Sequence, residues 1–227
     1  MAIGQYLGDD YNTVTRTLMH FNNDARDLSG DLLHGTFINP AYGNGIIGEG
    51  SALFNGLNSF VEIDNNIPIR TFIYGTIVVW VKTTNNTLSQ AIYHQFQEGS
   101  LDINNSSSLR IVGGKVFYQE YRKTGNASQS MSGNTIIPNN EWTQIVLTLD
   151  SNYLTYYING VLDKSVVWTR LSTFYVTYNN MIGADNYLLN LATTNYFSGN
   201  IDELIVEDII WTDSRIKKYY TYSKGMF

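Results

Sequence analysis

Hydrophobic and polar positions alternate, or run apolar in short blocks, along most of the chain, and almost nowhere recur at a helical period. Thr76-Ile77-Val78-Val79-Trp80-Val81 is a nearly unbroken apolar run, which predicts a strand covered on both faces. Leu18, Met19 and Phe21 mark a short strand upstream, and Ala52–Phe54 and Phe60–Ile63 flank Asn55-Gly56, a hairpin signal. Further strands are predicted over Ala91–Phe96, Ser108–Val112, Lys115–Tyr121, Thr143–Leu149, Leu154–Ile158, Val161–Val167, Val176–Gly183 and Phe197–Ile210. Gly113-Gly114 and Asn159-Gly160 supply tight turns between neighbours. One segment reads as helix, Ser214–Tyr222, with Thr212 or Asp213 as its N-cap. Strands closely spaced, with turn signals between them, indicate a sandwich and not a βαβ fold.

Composition sharpens this picture. Tyr 17, Phe 10 and Trp 4 suit half-buried pleated surfaces, and only 3 prolines leave no linker of that kind in 227 residues. All-β domains reach this length as single units, so the expectation is an arm over residues 1–15 and one sandwich over 16–227. Charged residues make up 15%, below the roughly 25% usual for soluble domains, so the surface is a neutral skin of Asn, Ser, Thr and Tyr. A net charge of −6 and no basic run beyond Lys217-Lys218 argue against nucleic acid and against an anionic membrane surface. Without cysteine there is no disulfide, thiolate metal site or cysteine nucleophile. Residues 1–10 carry no secretory signal pattern and no window holds 18 apolar residues, which leads to the expectation that no standard export or membrane span is used.

Six motifs in order resemble the concanavalin A-like lectin/glucanase superfamily, in its laminin G-like jelly-roll branch. They are Leu18-Met19-His20-Phe21 with Asp27-Leu28-Ser29-Gly30; Gly50–Gly56 with Phe60-Val61-Glu62-Ile63; the Trp-containing strand Thr76–Val81; Glu141-Trp142-Thr143 with Tyr156–Gly160; Phe197–Leu204; and the terminal helix with Arg215-Ile216. The resemblance implies an all-β, two-sheet antiparallel jelly-roll sandwich with one short C-terminal helix. It also implies a structural Ca²⁺ held by Asp27, Ser29, Gly30 and Asp202, although two carboxylates are few for an ion that takes six to eight oxygens. An Asx-turn at Asp27 is the alternative.

The catalytic readings fail on spacing. Glucanases of the superfamily use Glu-x-Asp-x-(x)-Glu, whereas this chain reads Glu203-Leu-Ile-Val-Glu207 without the central Asp. Four strand residues place the two carboxylates about 13 Å apart, beyond retaining or inverting geometry. His20, His34 and His94 are scattered and make no zinc pattern, no Gly-x-Ser-x-Gly elbow is present, and the Gly43–Gly50 strings lack the strand–loop–helix context of a phosphate cradle. The most sugar-like surface is on Lys115–Arg122, where alternation puts Tyr118, Glu120 and Arg122 on one face and Phe117, Gln119 and Tyr121 on the other. An aromatic plate beside a carboxylate and a guanidinium suits a pyranose; a solvated cross-strand ladder is the rival reading.

These observations lead to a non-catalytic recognition or structural module. The expected setting is a phage virion surface (head decoration, fibre or tail), with surface glycans and other virion subunits as partners. A cellular carbohydrate-binding or adhesion module is the alternative, and a polysaccharide hydrolase comes last. Ile3, Tyr6 and Leu7 in the arm are expected to dock on a neighbouring protein, another copy of the chain or a capsid or tail subunit, with an extra edge strand on its own sandwich as the alternative.

Overall fold

In the computed structural model, residues 15–39, 41–63, 74–97, 105–122, 126–169, 178–185 and 194–225 are described. The strands, in chain order, are β1 (Thr15–Met19), β2 (Gly35–Ile38), β3 (Tyr42–Gly43), β4 (Ser51–Asn55), β5 (Phe60–Ile63), β6 (Gly75–Thr83), β7 (Gln90–Gln97) and β8 (Asn105–Val112). They continue with β9 (Lys115–Arg122), β10 (Ala127–Ile136), β11 (Thr143–Leu149), β12 (Tyr153–Ile158), β13 (Val161–Val167), β14 (Tyr178–Ile182) and β15 (Ser198–Glu207), followed by helix α1 (Asp213–Lys224). They form two antiparallel sheets. One runs β13-β12-β11-β6-β15-β4-β3 with β1 added beside β15, and the other runs β10-β9-β8-β7-β14-β5-β2.

The inner faces meet in one apolar core: Ile77, Val79 and Val81 of β6 and Ile145, Leu147 and Leu149 of β11 face Leu109, Ile111, Val116 and Tyr118 from the other sheet. Covering both inner faces is what makes a sandwich the stable solution for strands of this pattern. The expectation that β6 is covered twice holds, for a reason visible only in three dimensions. Val78 packs outward with Val146, Tyr157 and Ile205 beneath Trp211, Ile216 and Tyr219, so α1 and its approach roof that sheet. Thr212 caps α1 by accepting from the Arg215 N–H at 3.2 Å. Thr212→Ala is expected to lower stability by about 1 kcal/mol, seen as a small shift in denaturant midpoint with unchanged m-value.

Two turns form as predicted. Gly113-Gly114 (φ +56° and +80°) joins β8 to β9, and Asn159-Gly160 (φ +52° and +75°) joins β12 to β13; both need the left-handed conformation that Gly and Asn tolerate. Asn55-Gly56 does not close a hairpin. β4 lies in one sheet and β5 in the other, and the chain crosses between them while Asn55 Oδ1 accepts from the N–H groups of Leu57, Asn58 and Ser59. The same turn residues serve a hairpin or a sheet-to-sheet corner, because the local conformations are alike. Strand β10, Ala127–Ile136, escapes a reading based on apolar alternation because its sequence is ASQSMSGNTI. It pairs with β9 as a polar edge. Thr15 is already part of β1, opposite Glu207, while the arm with Ile3, Tyr6 and Leu7 lies outside the described residues.

Candidate binding face

With the eight-stranded sheet roofed by α1, the outer face of the seven-stranded sheet is where polar and aromatic side chains gather. Inward Leu109, Val116 and Tyr118 fix the phase of the pleat, so Ser108 and Arg110 on β8 and Phe117, Gln119 and Tyr121 on β9 point outward. Cross-strand register lines them up in rows. One row reads Ser130, Gln119, Ser108, His94, Met181, Glu62 and Thr36. A second reads Ser128, Tyr121, Ser106 and Phe96, and a third Ser132, Phe117, Arg110 and Ala91.

The half of this face on β9 and β10 is open. Phe117, Gln119 and Tyr121 are half-buried, and Ser128 and Ser130 are exposed. Gln119 Nε2 donates to Ser128 Oγ at 3.1 Å and Tyr121 donates to Asn126 Oδ1 at 3.2 Å, which holds both side chains against the sheet. Phe117 and Tyr121 are four residues apart on one face, about 13 Å along the strand, with an amide between them.

The half on β7 and β14 is closed and contains a charged cluster. Arg110 lies 2.8 Å from Asp185 Oδ2 and donates through Nε to Ser108 Oγ at 2.8 Å; Asp185 Oδ1 accepts from Thr194 and Asn195. His94 stacks on Phe96, centroids 5.2 Å apart, and is fully buried. Neither ring nitrogen makes a well-aligned hydrogen bond among the described residues, although the Ser107 backbone lies close enough to favour the charged ring. Burial pushes its pKa down to about 4 and Arg110 adds to that, while Asp185 and the Ser107 backbone act the other way, so the ring is neutral at physiological pH.

The structure corrects the predicted sugar surface. Alternation separates the two faces of β9 as expected, but Tyr118 and Glu120 are the inner face, 1% and 0% exposed. Tyr118 packs in the core and donates to Glu120 Oε1 at 3.3 Å, while Gln129 donates to Oε2 at 3.0 Å. Arg122 ends the same inward rank, half-buried. Both faces carry an aromatic and polar mixture, so alternation alone cannot say which looks inward; the opposing sheet decides.

The predicted calcium ligands do not fit an ion. Asp27 accepts from the N–H groups of Leu18, Ser29 and Leu33 at 2.8–2.9 Å and from the Ser29 hydroxyl at 2.7 Å, which occupies both carboxylate oxygens with donors. Asp202 is tied to a different segment, accepting from the N–H groups of Ile46, Ile47 and Glu203. Gly30 is exposed and contributes to neither. Asp27 is the Asx-type tie of the alternative reading, and no group of three or more potential ligands gathers among the described residues.

The closing strand holds its carboxylates inside the fold. The ladder slips between Asp202 and Ile205, and Glu203 takes φ +52°. This bulge lets two successive acidic side chains lie under the loop and helix on one side of the sheet. Glu203 meets His20 Nδ1 at 2.7 Å and the Tyr219 hydroxyl at 3.3 Å; Glu207 accepts from Trp211 Nε1 at 2.6 Å and Arg215 at 2.9 Å. Both are 0–1% exposed, so neither faces a place where a glycosidic bond would sit.

Comparison with known proteins fits this architecture. A laminin G-like family model, described as concanavalin A-like lectin/glucanases superfamily, matches residues 55–217. The chain belongs to that superfamily. No curated protein sequence matches it significantly. Among solved structures, domain 4 of AbnA, a GH43 extracellular arabinanase from Geobacillus stearothermophilus in complex with arabinotriose, is similar at 23% identity and TM-score 0.70, over 90% of this chain and 97% of that one. The receptor binding domain of botulinum neurotoxin D is similar at 16% identity and TM-score 0.68, over 94% of this chain but 53% of its own length. The Ruminococcus gnavus IT-sialidase CBM40, bound to alpha2,3 sialyllactose, matches at 18% identity and TM-score 0.55, over 65% and 82%. At such identities the shared property is the sandwich itself.

Proposed function

We propose that this superfamily member is a non-catalytic glycan-binding module, and that the outer face of the seven-stranded sheet is its binding surface. The observation that carries this reading is the open platform of Phe117, Gln119 and Tyr121 beside the serine rows of β8 and β10. Sugar C–H faces stack on aromatic rings while their hydroxyls need amide and hydroxyl partners, and this surface offers both at one level. Carbohydrate complexes in two structures of the same fold, with arabinotriose and with alpha2,3 sialyllactose, support the class of ligand. The burial of Glu203 and Glu207 under α1 supports binding without hydrolysis.

The test is retardation in gels containing arabinan, or titration with arabino-oligosaccharides and sialyllactose. Phe117→Ala with Tyr121→Ala is expected to weaken binding at least tenfold, with an unchanged melting temperature because both side chains are half-exposed. Equal binding by the double variant would move the site elsewhere, and release of reducing ends by the wild type would overturn the non-catalytic reading. The setting is a separate proposal: display on a virion, with virion subunits as partners, predicts capsid and tail genes beside this one, whereas a cellular adhesion module predicts polysaccharide-utilisation genes.

A further inference from the structure

The closed half of the binding face contains an arrangement that the apolar packing around it does not account for. His94 is sealed between Phe96, on which it stacks, and its cross-strand neighbours Met181 and Ser108. A buried polar group left without a partner is destabilising, and neither nitrogen of this ring makes a well-aligned hydrogen bond among the described residues. Aromatic or aliphatic residues fill the equivalent space more favourably: Phe96, Met181 and Ala184 form an apolar cluster on the same face. A histidine at this position therefore weakens the ligand-free fold, and such costs are found where a site needs the group.

We propose that His94, flanked by the Arg110–Asp185 pair, is the specificity subsite of the glycan face, and that it selects neutral, hydroxyl-bearing sugars over acidic ones. This rests on the glycan-binding reading above. A neutral imidazole has one N–H donor and one lone-pair acceptor. A sugar hydroxyl is both donor and acceptor, so two hydroxyls of an oligosaccharide, one at each edge of the ring, satisfy both nitrogens. A carboxylate only accepts, and would leave the unprotonated nitrogen facing an oxygen lone pair. The cationic group beside the ring reinforces the choice, because the Arg110 guanidinium is already 2.8 Å from Asp185 and bonded to Ser108, which leaves its charge compensated. The subsite is continuous with the open platform, since Gln119, Ser108 and His94 stand side by side in one cross-strand row. Phe60 and Tyr196, half-buried, pack on the Phe96–Met181 cluster beside the ring.

The experiment compares wild type with His94→Phe and His94→Gln. Affinity is measured by titration calorimetry against arabinotriose as the neutral probe and sialyllactose as the acidic one, alongside thermal melts without ligand. The expected result is an opposed pair of effects. His94→Phe raises the ligand-free melting temperature by a few degrees and loses at least tenfold in affinity for the neutral probe, while His94→Gln, which keeps a donor and an acceptor, retains part of that affinity. A histidine serving only the packing would show the reverse, with lower stability and unchanged affinity. If the wild type binds arabinotriose and His94→Phe binds it equally well, or if sialyllactose is preferred, the subsite is refuted while the binding face stands. If the wild type binds neither probe and no other glycan, the glycan-binding reading itself fails.

Discussion

Asp27→Ala is expected to destabilise the fold by roughly 3–5 kcal/mol, at or beyond the upper end of what single substitutions ordinarily cost. The carboxylate is 0% exposed and accepts from three backbone N–H groups and one hydroxyl. Those donors come from β1 and from the loop through Leu33, so one side chain ties the first strand to the segment that leads into β2. Alanine leaves the N–H groups of Leu18, Ser29 and Leu33 without their acceptor, while the Ser29 hydroxyl can turn to the Arg16 carbonyl at 3.1 Å. For a domain of this size the loss corresponds to a fall in melting temperature on the order of 10 °C. The same argument predicts that wild-type melts in calcium and in chelator coincide, because protein donors already occupy both Asp27 oxygens. A chelator-induced drop of several degrees that disappears in Asp27→Ala would restore the ion.

Asp202→Asn is expected to change the dependence of stability on pH. Burial pushes the Asp202 pKa up from 3.8 to about 8, and the adjacent Glu203 carboxylate pushes the same way, against three N–H donors that favour the anion. In this native pair a proton is retained that the unfolded chain releases near pH 4. The native state thus binds more protons between about pH 4 and about pH 8, and stability must fall as pH rises through that window. His20 adds the same sign. Burial opposes its charge, but the hydrogen bond and charge of Glu203, with Asp24, raise its pKa, so its contribution is full below its ordinary value and lost as pH climbs through the raised one. Asparagine has no proton to lose. The variant should be less stable than wild type near pH 5 and more stable near pH 8, with a difference between the two pH values exceeding about 2 kcal/mol. Denaturant midpoints at pH 5, 6.5 and 8 provide the measurement, and parallel curves would show that the pair holds no extra proton.

Much of the fold is legible in the sequence because it follows from local chemistry. The apolar run of β6, the Gly113-Gly114 and Asn159-Gly160 turns and the Thr212 cap each depend on a few neighbouring residues, and each forms where the pattern places it. Strand β10 is not legible because its pairing with β9 needs backbone donors and acceptors, which every sequence supplies, and few apolar groups. Asn55-Gly56 reads as a hairpin and forms a corner, because a turn residue reports its own dihedral angles and not the sheet its next strand joins.

The candidate site divides in the same way. Alternation on β9 correctly groups Tyr118 with Glu120 and Phe117 with Tyr121, since a pleat has period two whatever it packs against. Which pair faces solvent is settled by the opposing sheet: the Tyr118 ring joins the core and its hydroxyl meets Glu120 within the fold. Alternation would also send Asp202 and Glu203 to opposite faces, and a bulge with φ +52° at Glu203 brings both carboxylates beneath α1 and its neighbouring loop. His94 carries no signal in the sequence, as one of three scattered histidines; it becomes conspicuous only when β7 is placed between β8 and β14 and its ring nitrogens make no well-aligned hydrogen bond among the described residues. Sequence by itself determined the strands, the tight turns, the helix cap and the all-β class, because these depend on periodicity and on preferences within a few residues. Tertiary structure alone decided which face is surface, which carboxylates are spent inside the fold and where aromatic and polar groups converge, because burial and cross-strand neighbours belong to segments as far apart in the chain as Thr15 and Glu207.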